Sequence, residues 1–167
     1  MPPTTREFSN EEILHLARAV ELAEQALAAG DQPFGSVLVS GEGEELAVDR
    51  NRAAGGDRTQ HPEFNLARWA AANLTPDERA RATVYTSGEH CPMCAAAHAW
   101  VGLGPIVYVG STEQMVQWHT EAGLTAPGPV APLPINQVAP DVPVRGPVPD
   151  LLDLVEDLHR RWAATRT

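Results

Sequence analysis

The chain of 167 residues contains no lysine: all twelve of its basic residues are arginine. A Schiff-base lysine, a Walker A lysine and a kinase-type lysine are therefore excluded together, and several enzyme classes with them. Acidic residues outnumber basic ones 22 to 12, leaving a net charge of -10. Phosphate neutralisation by Lys and Arg supplies most nonspecific nucleic-acid affinity, so a large duplex or tRNA surface is disfavoured as a partner. Cysteine is scarce as well. Two thiols, Cys91 and Cys94, are too few for a disulfide scaffold, and a reducing cytosol would not keep an ordinary disulfide closed. No stretch approaches the roughly 18 consecutive apolar residues of a membrane span. The start, Met1-Pro2-Pro3-Thr4-Thr5, lacks the charged and apolar regions of a signal peptide, so the expected compartment is the cytoplasm, without membrane contact. An apolar fraction of 43% suffices for one core, and residues 1–167 are expected to form a single domain.

What is present reads as an α/β alternation. Ser9 is placed to cap a helix whose apolar positions, from Ile13 through Leu16, Val20 and Ala23 to Leu27, recur at helical spacing until Gly30. Phe34 to Ser40 reads as a buried strand, Gly41 to Gly43 as a turn and Leu46 to Asn51 as the hairpin partner, followed by a loop over 52–60. Pro62 to Asn73 is predicted helical, with Pro62 at ease in a first turn where its missing N–H is not needed. A short helical turn near Thr75-Pro76-Asp77, a strand from Ala82 to Thr86, a helix from Cys91 to Val101, a strand from Ile106 to Val109 and a short helix from Glu113 to Trp118 follow. Residues 123–149 hold more than half of the 15 prolines and are read as an irregular linker with one short strand near Leu133 to Val138. Leu151, Leu152, Leu154, Val155, Leu158 and Trp162 mark an amphipathic C-terminal helix within 150–167. His15 and His159, both on amphipathic helices, are expected at the surface.

Cys91, followed by Pro92, opens its helix, so both thiols lie in a first turn where the helix dipole and free N–H groups favour thiolate. That suits a redox thiol or a metal ligand. The chain has Ala95 where a c-type haem would need histidine, and a strand hairpin and two helices precede the pair, unlike a thioredoxin motif. His61-Pro62-Glu63 opens the preceding helix, and two helix N-termini of one α/β sheet can converge at one sheet edge. His61, Cys91 and Cys94 then supply three zinc ligands with a fourth position open, which is the composition of a catalytic site. Glu63 can face that open position, where zinc lowers the pKa of water to about 7 and a carboxylate can carry its proton.

These residues carry a resemblance. "HPE" at 61–63 and "CPMC" at 91–94 are similar to the H-x-E and P-C-x-x-C pattern of the zinc-dependent cytidine deaminase-like superfamily. "PFGSVLV" at 33–39, "NRAAGGDRTQHPEFNLAR" at 51–68 and "SGEHCPMC" at 87–94 look like its guanine deaminase, cytosine deaminase and tRNA adenosine deaminase branch. The resemblance covers about residues 9–120. It implies a three-layer α/β/α sandwich with a mixed five-stranded central sheet, and one Zn2+ per subunit on His61, Cys91 and Cys94. It also implies Glu63 as proton shuttle in hydrolysis at the amino-bearing carbon of a nucleobase. Asn51 matches a substrate-bonding asparagine, and Glu89 a glutamate before the first cysteine. Trp118, His119 and Glu121 fall where the branch places residues that close over the base; a solvated loop with one packed indole is the alternative. Members are dimers, and guanine deaminases exchange C-terminal segments, so a homodimer with the 150–167 helix exchanged between subunits is the expected assembly.

The chain departs from the pattern at two places. Pro62 stands where alanine is common, at a position the pattern leaves open. His90 stands where proline is usual, beside the metal, where it contacts substrate or points to solvent. His98 is expected as a paired core histidine. The charge of -10 favours a free nucleobase or nucleoside, guanine-like or cytosine-like, over tRNA. A tRNA adenosine deaminase, a non-catalytic protein and a thiol-redox protein built on Cys91 and Cys94 are the alternative functions.

Overall fold

Helix α1 (Asn10–Ala28) starts where the sequence places its cap: the Ser9 hydroxyl accepts the Glu12 N–H and the Glu12 carboxylate accepts the Ser9 N–H. Such a reciprocal cap contributes about 1 kcal/mol. The helix ends before Gly30, whose φ of 88° is open to glycine. The computed structural model describes residues 7–125 and 128–167; the expected leader-free start at residues 1–5 and positions 126–127 of the proline-rich segment lie outside the described residues.

Strands β1 (Gly35–Val39), β2 (Glu45–Arg50), β3 (Thr83–Gly88), β4 (Ile106–Gly110) and β5 (Val144–Arg145) form one sheet in the order β2-β1-β3-β4-β5. β1 is antiparallel to β2 and β3, while β3, β4 and β5 run parallel. This is the mixed five-stranded sheet expected. α1, α5 (Thr112–Glu121) and α7 (Pro149–Ala164) cover one face; α2 (Pro62–Asn73), α4 (Pro92–Trp100) and the short α6 (Ile135–Val138) cover the other, and α3 (Pro76–Arg81) leads into β3. Strand periodicity sorts the core between the two faces. Val37, Val39, Tyr85, Val107 and Val109 pack under α1 and α7, whereas Leu38 and Val84 pack against Leu66, Ala67 and Ala70 of α2. Ser36 and Thr86 share the parity of Leu38 and Val84, so both hydroxyls point beneath α2.

Three expectations are corrected. No strand forms over 133–138: α6 lies there, and the fifth strand is β5, some residues later. Pro132 and Pro134 lack the N–H groups a ladder needs, while the free Ile135 N–H at the start of α6 is taken by the Glu89 carboxylate at 2.8 Å. His159 is buried and not at the surface, because α7 lays it against Phe34 of the segment leading into β1 and Trp118 of α5. α5 also runs on to Glu121, past the expected end at Trp118. α7 packs against α1, α5 and β4 of its own chain.

Candidate active site and metal centre

His61 is the N-cap of α2, Cys91 the N-cap of α4, and Cys94 lies in the first turn of α4. Neither cap residue uses its side chain to cap its own helix, which leaves the imidazole and the thiol free for other partners. The His61 Nδ1 lies 3.5 Å from each Sγ, and the two Sγ atoms are 3.5 Å apart. Donors on a tetrahedral zinc, at about 2.3 Å for sulfur and about 2.1 Å for nitrogen, stand roughly 3.6–3.8 Å from one another. The triangle therefore fits one zinc ion with little movement, and the soft sulfur and imidazole donors suit it. Among the described residues this is the one group of three or more such side chains gathered closely enough to hold a metal.

The protons on the three donors are shared unevenly. The Cys94 hydrogen bond, with His61 beside it, holds the Cys91 thiol down to about 4, and the same Cys91 contact with burial and the nearby Glu63 pushes the Cys94 thiol up. His61 is raised by its bond to Cys91. Thiolate and imidazole in this arrangement are the ligand forms that a cation favours.

Glu63 lies on the first turn of α2, 5% exposed. Burial raises its carboxyl above the usual range, against the lowering effect of nearby His61. Its Oε1 lies 3.2 Å from the Ser36 Oγ and 3.1 Å from the Thr86 Oγ1. A carboxyl so placed beside a metal site is suited to taking up and releasing a proton.

A cavity of about 560 Å3 opens beside the end of β2, walled in part by Asn51, Arg58, His119, Trp162 and Arg166; neither the three metal donors nor Glu63 is in its lining. The Asn51 N–H donates to the Phe34 carbonyl at 3.0 Å, which ties that wall to the residues leading into β1. The Asn51 Oδ1 accepts the Ala53 N–H at 2.9 Å, and this bond fixes the amide. The cavity accepts a nucleobase by size.

The other predicted residues are divided. His119 reaches the cavity wall, with its Nε2 3.2 Å from the His159 Nδ1. Trp118 turns away into the core under α7, and Glu121 is on the surface, accepting from Gln117 at 2.8 Å and Arg160 at 2.7 Å. Glu89 spends both oxygens on backbone, accepting the Thr112 N–H at 3.0 Å and the Ile135 N–H, and so anchors the starts of α5 and α6. The solvent-facing reading of His90 is overturned: the residue is fully buried, its ring edge-on to His98 at 5.5 Å, because the segment between β3 and α4 runs under α4. His98 is the paired core histidine expected, its Nε2–H donating to the Gly104 carbonyl at 2.7 Å. Four residues near the site escaped sequence reasoning. Trp162 comes from the distant C-terminal helix and Arg166 from just past its end, where spacing gives no pointer to the cavity. Ser36 carries a signal, as the one polar residue of the buried strand β1, whereas Thr86 stands among the polar Thr83 and Ser87 of β3.

Known proteins match this arrangement. A family model described as the cytidine and deoxycytidylate deaminase zinc-binding region matches residues 9–110. A probable cytosine deaminase of Schizosaccharomyces pombe is 29% identical over 124 residues, 74% of this chain and 75% of that protein. The guanine deaminase of Bacillus subtilis is 34% identical over 109 residues, 64% of this chain and 65% of its own length. In fold, the guanine deaminase of Nitrosomonas europaea superposes with a TM-score of 0.70 at 22% identity, over 93% of this chain and 85% of that one. The matched span takes in β1, the His61 and Glu63 helix and the Cys91 and Cys94 helix, and by it the chain belongs to the cytidine and deoxycytidylate deaminase zinc-binding family.

Proposed function

We propose that this protein is a zinc-dependent hydrolytic deaminase of a free nucleobase or nucleoside with a guanine-like or cytosine-like aminated ring, releasing ammonia. The observation that carries the reading is the convergence of His61, Cys91 and Cys94 on one point with the buried Glu63 carboxyl beside them. Zinc held there supplies a water of pKa about 7 and polarises the reacting centre. Glu63 takes one proton of the attacking water and passes it to the ring nitrogen, then takes the proton of the newly added hydroxyl and passes it to the amino group, which leaves as ammonia. Asn51, with its amide fixed by Ala53, orients the base, and His119, which lines the same cavity, closes over it. The protein works as a cytoplasmic homodimer with one Zn2+ per subunit, and its C-terminal helix over 150–167 is exchanged between subunits.

A net charge of -10 disfavours an anticodon arm as substrate. Ammonia release from guanine, cytosine, adenine, their nucleosides and a tRNA anticodon stem tests the choice, with metal analysis alongside. Turnover of a free base or nucleoside by protein holding one zinc per chain is the expected result. Turnover of the tRNA stem alone would make the chain a tRNA adenosine deaminase. Metal-free protein with a titratable Cys91–Cys94 disulfide would make it a thiol-redox protein.

A further inference from the structure

Ser36 and Thr86 are opposite one another in the β1–β3 register and are fully buried. A buried hydroxyl needs a partner, and both have the same one. The Ser36 Oγ lies 3.2 Å from the Glu63 Oε1, the Thr86 Oγ1 lies 3.1 Å from it, and the two hydroxyl oxygens are 2.8 Å apart. The triangle is anchored to the strands. Thr86 reaches the Gly88 carbonyl at 3.0 Å and the Gly35 carbonyl at 3.4 Å. Glu63 comes from α2, so this is a tie between the helix that carries His61 and the two strands that lead to the metal site.

Each hydroxyl has one proton to give, and both distances allow it to go to Oε1. The carboxyl plane is then held from the strand side, and neither hydroxyl occupies Oε2.

We propose that Ser36 and Thr86 are positioning residues for the deamination: the hydroxyl pair grips the Glu63 Oε1 and leaves Oε2 as the oxygen that handles the proton of the water and of the leaving ammonia. The inference rests on Glu63 being the shuttle. It adds two residues outside both zinc-ligand motifs, and it predicts that they act on the rate of chemistry and not on binding. A misplacement of about 1 Å in such a group can cost about 100-fold.

The experiment uses the full-length zinc protein and whichever base of the panel it turns over fastest. Glu63→Gln is measured first; it keeps zinc and loses turnover if the shuttle is correctly assigned, and retained turnover would overturn that assignment together with the present one. Thr86→Val then keeps the side chain's shape and removes the hydroxyl, while Thr86→Ser keeps the hydroxyl and removes the methyl. Thr86→Val is expected to lower kcat about 10- to 100-fold with KM changed less than about threefold and zinc at one per chain. Thr86→Ser is expected within about threefold of the parent. Ser36→Ala should lower kcat in the same way, and Ser36→Thr should restore most of it. A merely structural role would give the opposite ranking at position 86, with valine active and serine destabilised. Wild-type kcat in both Thr86→Val and Ser36→Ala, with Glu63→Gln inactive, would refute the positioning role and leave the deaminase reading intact. If Thr86→Val melts too low to assay, the Ser36 pair decides by the same criterion.

Discussion

Two regions of the molecule build the two sides of the site by different means. Residues 34–110 place their functional groups through regular structure: helix N-caps aim His61 and Cys91, a first turn holds Cys94, and strand parity puts Ser36 and Thr86 beneath Glu63. Of these groups only His61 and Cys91 are more than slightly exposed. Residues 112–167 contribute the outer wall through the half-buried His119 of α5 and Trp162 of α7, 5.1 Å apart, and the exposed Arg166 just past α7, which lies over the Trp162 indole at 4.9 Å. Rigid burial suits chemistry, which tolerates little displacement; ring stacking on a rim suits recognition. The first region should therefore govern kcat and stability, and the second KM.

The largest effect belongs to the first region. Cys94→Ala removes a fully buried ligand, so zinc content should fall far below one per chain and turnover to the assay background. Since zinc binds the folded chain, its loss should also lower the melting temperature; a ligand at a hundredfold excess over its Kd contributes about 2.7 kcal/mol. Metal analysis with calorimetry reads both, and a Cys94→Ala protein that still carries zinc and turns over would break the comparison at its root.

Next in size is packing. Gly35 opens β1 beside Ser36, and a Cβ there would meet the Ala19 carbonyl, lie 2.5 Å from the Leu22 Cβ and 2.6 Å from the Ala23 nitrogen. Gly35→Ala must push α1 off the sheet, which should cost about 1–3 kcal/mol in urea denaturation. An unchanged midpoint would mean that the first region is looser than its contacts imply.

The same contrast explains what was legible in the sequence. The donors His61, Cys91 and Cys94 are read from two short motifs because helix starts are local: Pro62 and Pro92 mark first turns, and the residue before each is the cap. The strands β1 and β3 are read from apolar runs. Their parity is readable too, but the roles of Ser36 and Thr86 are not, because the carboxylate that both hydroxyls meet comes from α2 and is distant in sequence. The C-terminal region is less legible because its contacts are distant. Nothing near His159 in sequence announces Phe34 or Trp118, so an amphipathic helix was taken to turn its histidine outward. Around residue 135 the apolar side chains suit a strand, but proline removes the ladder donors, and Glu89, far away in sequence, supplies the helix with its anchor. The role expected of Glu121 at the base failed to anticipate Arg160 of α7, which claims the carboxylate.

Both regions should respond to acid, through His98 of α4 and His159 of α7, which are buried. Burial, with His119 adding a smaller push, lowers His159 to about 3; burial lowers His98 to about 4. An unfolded histidine titrates near 6.5. Between pH 6.5 and the folded values the unfolded chain binds more protons, so stability is fully present above pH 6.5 and lost as pH falls toward 3. Each histidine contributes at most about 1.4 kcal/mol per pH unit inside that window. The urea midpoint should drop between pH 7 and 5, and His159→Leu should flatten the drop without abolishing it, since His98 remains. An unchanged slope in His159→Leu would show that protons reach this histidine in the folded state.

The smallest expected effect tests the rim directly. Trp162 stands between His119 and Arg166, so Trp162→Ala releases both from one wall of the cavity while leaving the metal donors and Glu63 untouched. A stacked ring contact of this kind is worth about 0.5–1.5 kcal/mol, which corresponds to a KM raised about 2- to 12-fold. Steady-state kinetics on the preferred base should find that rise with kcat within about twofold, and zinc unchanged. A fall in kcat at constant KM would move α7 from recognition into chemistry, because the wall would then have to position the base against Glu63 and not merely admit it.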